Sequence, residues 1–475
     1  MNNYLGYDET DPISIEEYGK RLIGKTFADV CRDDENSKID AIREDKNYVA
    51  SHEDRNRKGG LGQIIEERYF HYPANSEAKP DFAKAGVELK VTPFKINKDH
   101  SITAKERLIL TMIDYCTVVD EKFETSHMWE KSRLILLVYY LYQENLKSRL
   151  DYRIHYVNLF TPPKQDLQII KKDYEYIVNK IKEGKAHELS EADTLYLGAA
   201  SKAGTSKDRR KQPYSSIMAK PRAFAFKNSY MTYVLNNYIL PGQKTYEPIV
   251  KNEDIEDTFE EFVKKKINHY ENYSVKELCD ALDIPLTSSA KNLESRIVFD
   301  ILGVSGNKAE EFVKANIVVK TIRIETNNKI KESMSFPVFK FKELIKEEWE
   351  ESTFGNYLRE TKFFFVVYKY DDNGTLRLKG CQFWNMPYDD LEIEVKSVWE
   401  KTKSVIENGL KISVSNKGRT TNLPKRSENP VCHVRPHGKN SADTYELPDG
   451  RHFTKQCFWL NNTYIAAQLD KRFFA

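Results

Sequence analysis

Long apolar runs are missing from this chain: no stretch of 18 or more apolar residues occurs, so no membrane-spanning helix is expected. Cysteine is sparse, with six scattered at 31, 116, 279, 381, 432 and 457 and no CxxC pair. That pattern excludes a disulfide framework and suits free thiols in a reducing, cytoplasmic compartment. The opening segment, MNNYLGYDETDPISIEEYGK, is polar and acidic and lacks the apolar core of a signal peptide. An excess of either sign of charge is missing as well, with 74 Lys and Arg against 72 Asp and Glu. A net charge of +2 excludes a general polyanion binder. What is present is ordinary globular composition, 40% hydrophobic and 31% charged over 475 residues. The charge is uneven: Arg55, Arg57 and Lys58 form one basic cluster, and Lys202, Lys207, Arg209, Arg210, Lys211, Lys220 and Arg222 form another. Basic loops on a nearly neutral body suit a protein that grips a phosphate backbone along one groove.

The chain also repeats itself. DFAKAGVELKVT (81–92) aligns without gaps on EFVKANIVVKTI (311–322), an offset of 311 − 81 = 230. KER (105–107), KSRLILLVYYLY (131–142) and DLQI (166–169) recur in the same order as KES (331–333), ETKFFFVVYKYD (360–371) and DLEI (390–393). Four matches in register imply two copies of one domain of ~200–240 residues each. The link opens near Pro241-Gly242, and the expected division is 1–245, a linker at 246–270, and 271–475. Each copy reads as mixed α and β. GQIIEERYF has helical spacing and GVELKVTPF alternates like a half-buried strand. RLILLVYYLY and KFFFVVYKY resemble central strands, and DLQIIKKDYEYIVNKIKEGK reads as a long amphipathic helix.

The chemistry concentrates on the strand 87–91. With a period of two, Val87, Leu89 and Val91 share one face, while Glu88 and Lys90 share the other, about 7 Å apart. Asp81 precedes the strand by a short turn and can return beside Glu88. Two carboxylates beside a lysine suit a hard cation such as Mg²⁺ and hydrolysis of a phosphodiester. Alone, the triplet is also a routine Glu-x-Lys pair on a surface strand.

The company it keeps is more specific. KGGLGQIIE (58–66), KPDFAKAGVELKVTPF (79–94) and ETSHMWEK (124–131) resemble the blocks of the mismatch-repair endonuclease MutH. The chain is still more similar to the GATC-cutting, MutH-related type II restriction endonucleases, through KAHELSEADTLYL, RAFAFKNSYMT and VCHVRPH as well. The resemblance implies an α/β fold of two tandem MutH-like domains of the restriction-endonuclease, PD-(D/E)xK type. Each would have a central mixed sheet flanked by helices. It implies that Asp81, Glu88 and Glu66 bind Mg²⁺, that Lys90 is the catalytic lysine, that Lys131 lies near the scissile phosphate and that Lys58 reaches bases. The implied substrate is double-stranded DNA carrying GATC, cut to leave a 5′-phosphate; the retained second copy adds the expectation that two sites are bound at once. A cognate methyltransferase would act on the same sites. The chain is expected to be a monomer in solution that dimerises on DNA.

In the second copy, Asp81, Glu88 and Lys90 fall on Glu311, Val318 and Lys320, Glu66 near Val298 and Lys131 near Glu360. A valine in place of the central carboxylate cannot hold Mg²⁺ in the same way, so residues 271–475 are expected to be catalytically inactive. They are expected to bind DNA as an allosteric effector. CHVRPHGKN resembles the MutH loop that reads bases, which makes Arg435, Pro436 and Trp459 the expected contacts. In the first copy the corresponding place reads YLGAASKAG, and Lys202, Arg209, Arg210 and Lys211 are the expected contacts. Cys432, His437, His452 and Cys457 match no standard zinc spacing. Two alternatives stay open: a MutH-like nickase that serves repair, and a non-catalytic DNA-binding protein on a nuclease fold.

Overall fold

Strand β1 (Glu88–Ile96) forms where the alternation of apolar and polar residues predicts it, and it anchors the first half of the chain. The coordinates are a computed structural model that describes residues 6–32, 60–72, 79–202, 205, 207–240, 246–251, 257–285, 293–305, 309–415 and 418–475. They divide into two units, Met1–Thr245 and Tyr246–Ala475.

In the first unit β1 pairs antiparallel with β2 (Ile102–Ala104). Strand β3 (Leu108–Met112) follows, and the chain then crosses over to β4 (Ile135–Leu141), which lies parallel to β1. Strand β5 (Ile154–Phe160) closes a four-stranded sheet of order β2-β1-β4-β5. Ile135 to Val138 are fully buried because β4 has strands on both sides and apolar groups on both faces. The helix Lys164–Lys182 leads to β6 (Leu197–Ser201). Its buried Asp173 accepts from the backbone N–H groups of Leu195, Tyr196 and Leu197 at 2.8, 2.7 and 2.9 Å, which fixes where β6 starts. A hairpin, β7 (Arg210–Gln212) and β8 (Ser215–Ala219), precedes β9 (Arg222–Phe226). The second sheet has the order β3-β9-β6.

The second unit runs through the same kinds of element. Strand β10 (Ile317–Ile324) leads to β11 (Met334–Phe339), and β12 (Lys362–Tyr370) lies parallel to β10 and antiparallel to β13 (Leu376–Trp384). After the short pair β14 (Ile412–Ser415) and β15 (Gly418–Thr421) come β16 (Cys432–Pro436), a hairpin of β17 (Thr444–Glu446) and β18 (His452–Thr454), and β19 (Gln456–Leu460). The order β11-β19-β16 matches β3-β9-β6 strand for strand. A side-chain tie also recurs: Tyr230 Oη donates to Asp166 Oδ2 at 3.1 Å, and Tyr464 Oη donates to Asp390 Oδ2 at 2.6 Å. These aspartates are the first residues of the repeated DLQI and DLEI segments.

Two expectations need correction. Residues 246–270 do not form a bare linker: the helix Phe259–Asn268 buries Phe259, Val263 and Ile267 within the second unit, and Ile249 N–H donates to Glu311. The apolar spacing of that helix makes it part of a core. The helix expected at 62–70 is α-helical only over Gly60–Ile64 and widens into a π-turn at Ile65–Tyr69. Such turns are frequent at functional sites, and this one carries Glu66.

Candidate active site

The carboxylates converge because the chain turns sharply before β1. Phe82 pairs with Val87, and Gly86 takes φ +68° at the turn. A Cβ there would sit 2.7 Å from Arg133 Nη2, which the flexible arginine can yield, so it is the positive φ that calls for glycine. The turn brings Asp81 Oδ2 to the backbone N–H of Leu89 at 2.8 Å, while Tyr72 Oη donates to Asp81 Oδ1 at 2.9 Å. The Tyr72 ring stacks on Phe82, and burial beside Asp81 pushes its hydroxyl pKa up, so it stays a donor.

Glu88 is 2% exposed. Its Oε1 meets Lys90 Nζ at 2.8 Å and Lys131 Nζ at 3.6 Å, with Lys131 arriving from the helix His127–Ser132 just before β4. Its Oε2 is buried and has no hydrogen-bond partner among the described residues. Burial raises the pKa of Glu88; Lys90 opposes that rise and the charge of Asp81 adds to it. Glu66 is pushed up to about 7, first by burial and then by Asp81. The five residues expected at the catalytic site therefore share one electrostatic environment.

A buried carboxylate oxygen without a donor, close to Asp81 and to a Glu66 whose pKa burial and Asp81 push up, suits a divalent cation. Among the described residues no three acidic, histidine or cysteine side chains form a ready cage. Magnesium does not require one, since it is usually held by one or two carboxylates together with waters and substrate phosphates.

In the second unit the Glu311 carboxylate is spent on the backbone N–H groups of Ile249 and Val250, at 2.9 and 3.1 Å. Val298 is buried and Val318 is half-buried. Lys320 has its pKa lowered by burial. The expected match of Lys131 with Glu360 is corrected by strand register. Glu88 lies opposite Ile135 and Val318 opposite Phe363, so Lys131, four residues upstream, falls on Arg359. The helix ends agree: Arg133 N–H bonds Trp129 O, and Thr361 N–H bonds Tyr357 O. Arg359 keeps the positive charge of Lys131, but its guanidinium is held by Glu392 at 3.0 Å.

Of the expected DNA contacts, Lys58 lies outside the described residues. Lys202, Arg209, Arg210 and Lys211 are exposed, as are Arg435 and Pro436. Trp459 is not an outward-facing contact. It is 8% exposed and its ring lies 3.8 Å beneath the Arg435 guanidinium, so it braces the arginine. Tyr72 was missed in the sequence; its only signal is its place nine residues before Asp81.

The segment 70–173, which carries Asp81, Glu88, Lys90 and Lys131, matches the family model described as DNA mismatch repair enzyme MutH, and so forms a nuclease domain of that type. MutH proteins of Vibrio campbellii and Shewanella baltica are 27% and 28% identical over 190 and 182 residues, which is 39% and 38% of this chain and 81% and 79% of theirs. The type II restriction enzyme Sau3AI of Staphylococcus aureus is 38% identical over 457 residues, 87% of this chain and 92% of that protein. The chain belongs to the Sau3AI family and is a type II restriction endonuclease.

Proposed function

We propose that this enzyme cuts double-stranded DNA at GATC by magnesium-dependent hydrolysis that leaves a 5′-phosphate. The first unit would cut, and the second would be an inactive MutH-like domain that binds another copy of the site as an effector. The observation that carries the first part is the buried Glu88, with its unpaired Oε2 beside two lysines and the tethered Asp81. Asp81 and Glu88, with Glu66, would hold the cation. When bound, it supplies polarisation of the phosphate and a lowered pKa for water. Lys90 orients the attacking water and steadies developing charge, while Lys131 holds the scissile phosphate in line. In the metal-free site Glu66 has a pKa of about 7, so a cation that it helps to hold near neutral pH would displace a proton from it. Tyr72 fixes the Asp81 rotamer.

The recurring strand order and the paired Tyr–Asp ties support the reading of a duplicated domain. The engaged Glu311 and Arg359 support its inactivity. Digesting a plasmid with the purified chain and Mg²⁺ and sequencing the ends tests the proposal. Breaks in both strands at GATC with 5′-phosphates are expected; nicks in one strand would favour a MutH-like nickase, and no cutting would favour a binding protein.

A further inference from the structure

Both units insert a two-stranded hairpin at the same place in the second sheet, after β6 in one and after β16 in the other, yet the two hairpins are built in opposite ways. In the second unit, residues 437–455 carry three cations and three acids. Lys455 pairs with Asp443, Arg451 pairs with Asp449 at 2.7 Å, and Lys342 reaches Glu446 at 2.7 Å. In the first unit, residues 202–219 carry five cations and one acid, 5 − 1 = +4. All five cations are exposed, while Asp208 is occupied by Thr205.

The first hairpin also displays apolar groups that nothing on the surface calls for: Tyr214 is 74% exposed, Ile217 53% and Met218 44%. Tyr214 sits at φ +61°, a conformation that glycine or asparagine would adopt at lower cost. Strain of this kind points to a side chain needed at that spot. The base is rigid. Gln212 is buried, accepts from Ala186 N–H at 2.7 Å and donates to Ile217 O at 2.6 Å. The turn lies so close to Gly184 that a Cβ there would stand 2.7 Å from the Tyr214 carbonyl oxygen. A fixed base, an apolar tip and an exposed flank of net charge +4 fit a polyanion with an apolar interior edge, which describes a DNA groove.

We propose that the β7–β8 hairpin is a sequence-reading element of the first unit. Its cations grip phosphates, and Tyr214, Ile217 and Met218 pack in the groove against base edges and thymine methyls. The proposal rests on the reading that this chain cuts DNA.

The test is binding of the full-length chain to a GATC duplex and to a scrambled duplex, followed by fluorescence anisotropy over a salt series with Ca²⁺ in place of Mg²⁺. The variant K207Q/R209Q/R210Q/K211Q should lose affinity for both duplexes alike and flatten the log K against log salt slope by up to ~3.6. The variant Y214S/I217S/M218S should keep the slope but bind the GATC duplex at least tenfold more weakly, with a smaller loss on the scrambled one. Circular dichroism should show both variants folded, since all the replaced residues are exposed. Parent-like binding by the apolar variant would overturn the proposal. So would unchanged DNA affinity with loss of self-association in sedimentation, which would make the patch a contact with a second copy of the chain. Failure of the parent itself to bind either duplex would overturn the DNA-cutting reading as well.

Discussion

At the scale of single residues, Glu88 holds the catalytic account together. Its buried oxygen without a donor costs stability unless a cation or proton meets it, so Glu88→Gln should remove cleavage while leaving DNA binding measurable by anisotropy. Tyr72→Phe removes the bond to Asp81 and lets that carboxylate turn. It should weaken Mn²⁺ or Mg²⁺ binding in calorimetry by roughly 10- to 100-fold, the usual cost of losing a partner of a metal ligand. Glu66 yields a pH prediction. Its folded pKa of about 7 lies above its ordinary value, so the metal-free fold binds the proton more tightly than the unfolded chain does. The contribution of Glu66 to stability is therefore fully present at acid pH and is lost as pH rises from about 4.5 towards 7. Thermal melts of the parent and of Glu66→Gln across that range should show the parent losing stability relative to the variant as pH rises. Glu88 and Lys90 were legible because a strand's period of two assigns faces without further information, and Asp81 because it precedes that strand by a short turn. Tyr72 was not, because its bond to Asp81 depends on the path of the chain between them rather than on any periodicity.

At the scale of elements, the repeat was visible as spaced blocks, but register was not. Aligning KSRLILLVYYLY with ETKFFFVVYKYD placed Lys131 one residue off, because strings of apolar residues match almost equally well when slid by one. Backbone pairing does not slide, since a one-residue shift would turn every side chain to the other face. The same limit hid the hairpin difference, where exposure of Tyr214, Ile217 and Met218 depends on a turn pinned by Gln212 and Gly184. The recurring ties can be tested by Tyr230→Phe and Tyr464→Phe. Each removes a donor from a carboxylate, worth about 1.5–3 kcal/mol. Urea unfolding should show the larger loss for Tyr230→Phe, because Asp166 is 2% exposed whereas Asp390 is only half-buried.

At the scale of the whole molecule, the two units share the strand order of one three-stranded sheet, and in the proposed function they divide the chemistry. If the second unit binds its own GATC and favours cutting by the first, the coupling should be reciprocal and worth about 1–3 kcal/mol. A plasmid with two sites should then be cut roughly 5- to 150-fold faster than one with a single site at equal site concentration. Equal rates would leave the second unit without an effector role. The division of labour itself has a more direct test, because two working sites and one working site differ in what a single substitution leaves behind. The measurement is agarose-gel assay of a supercoiled GATC plasmid incubated with Mg²⁺ and the Glu88→Ala chain. The account predicts that the plasmid stays supercoiled, with neither linear nor nicked product, while the parent enzyme linearises it. Nicked circles accumulating with Glu88→Ala would mean that another site in the chain cuts DNA, and would contradict the assignment of cleavage to the first unit alone.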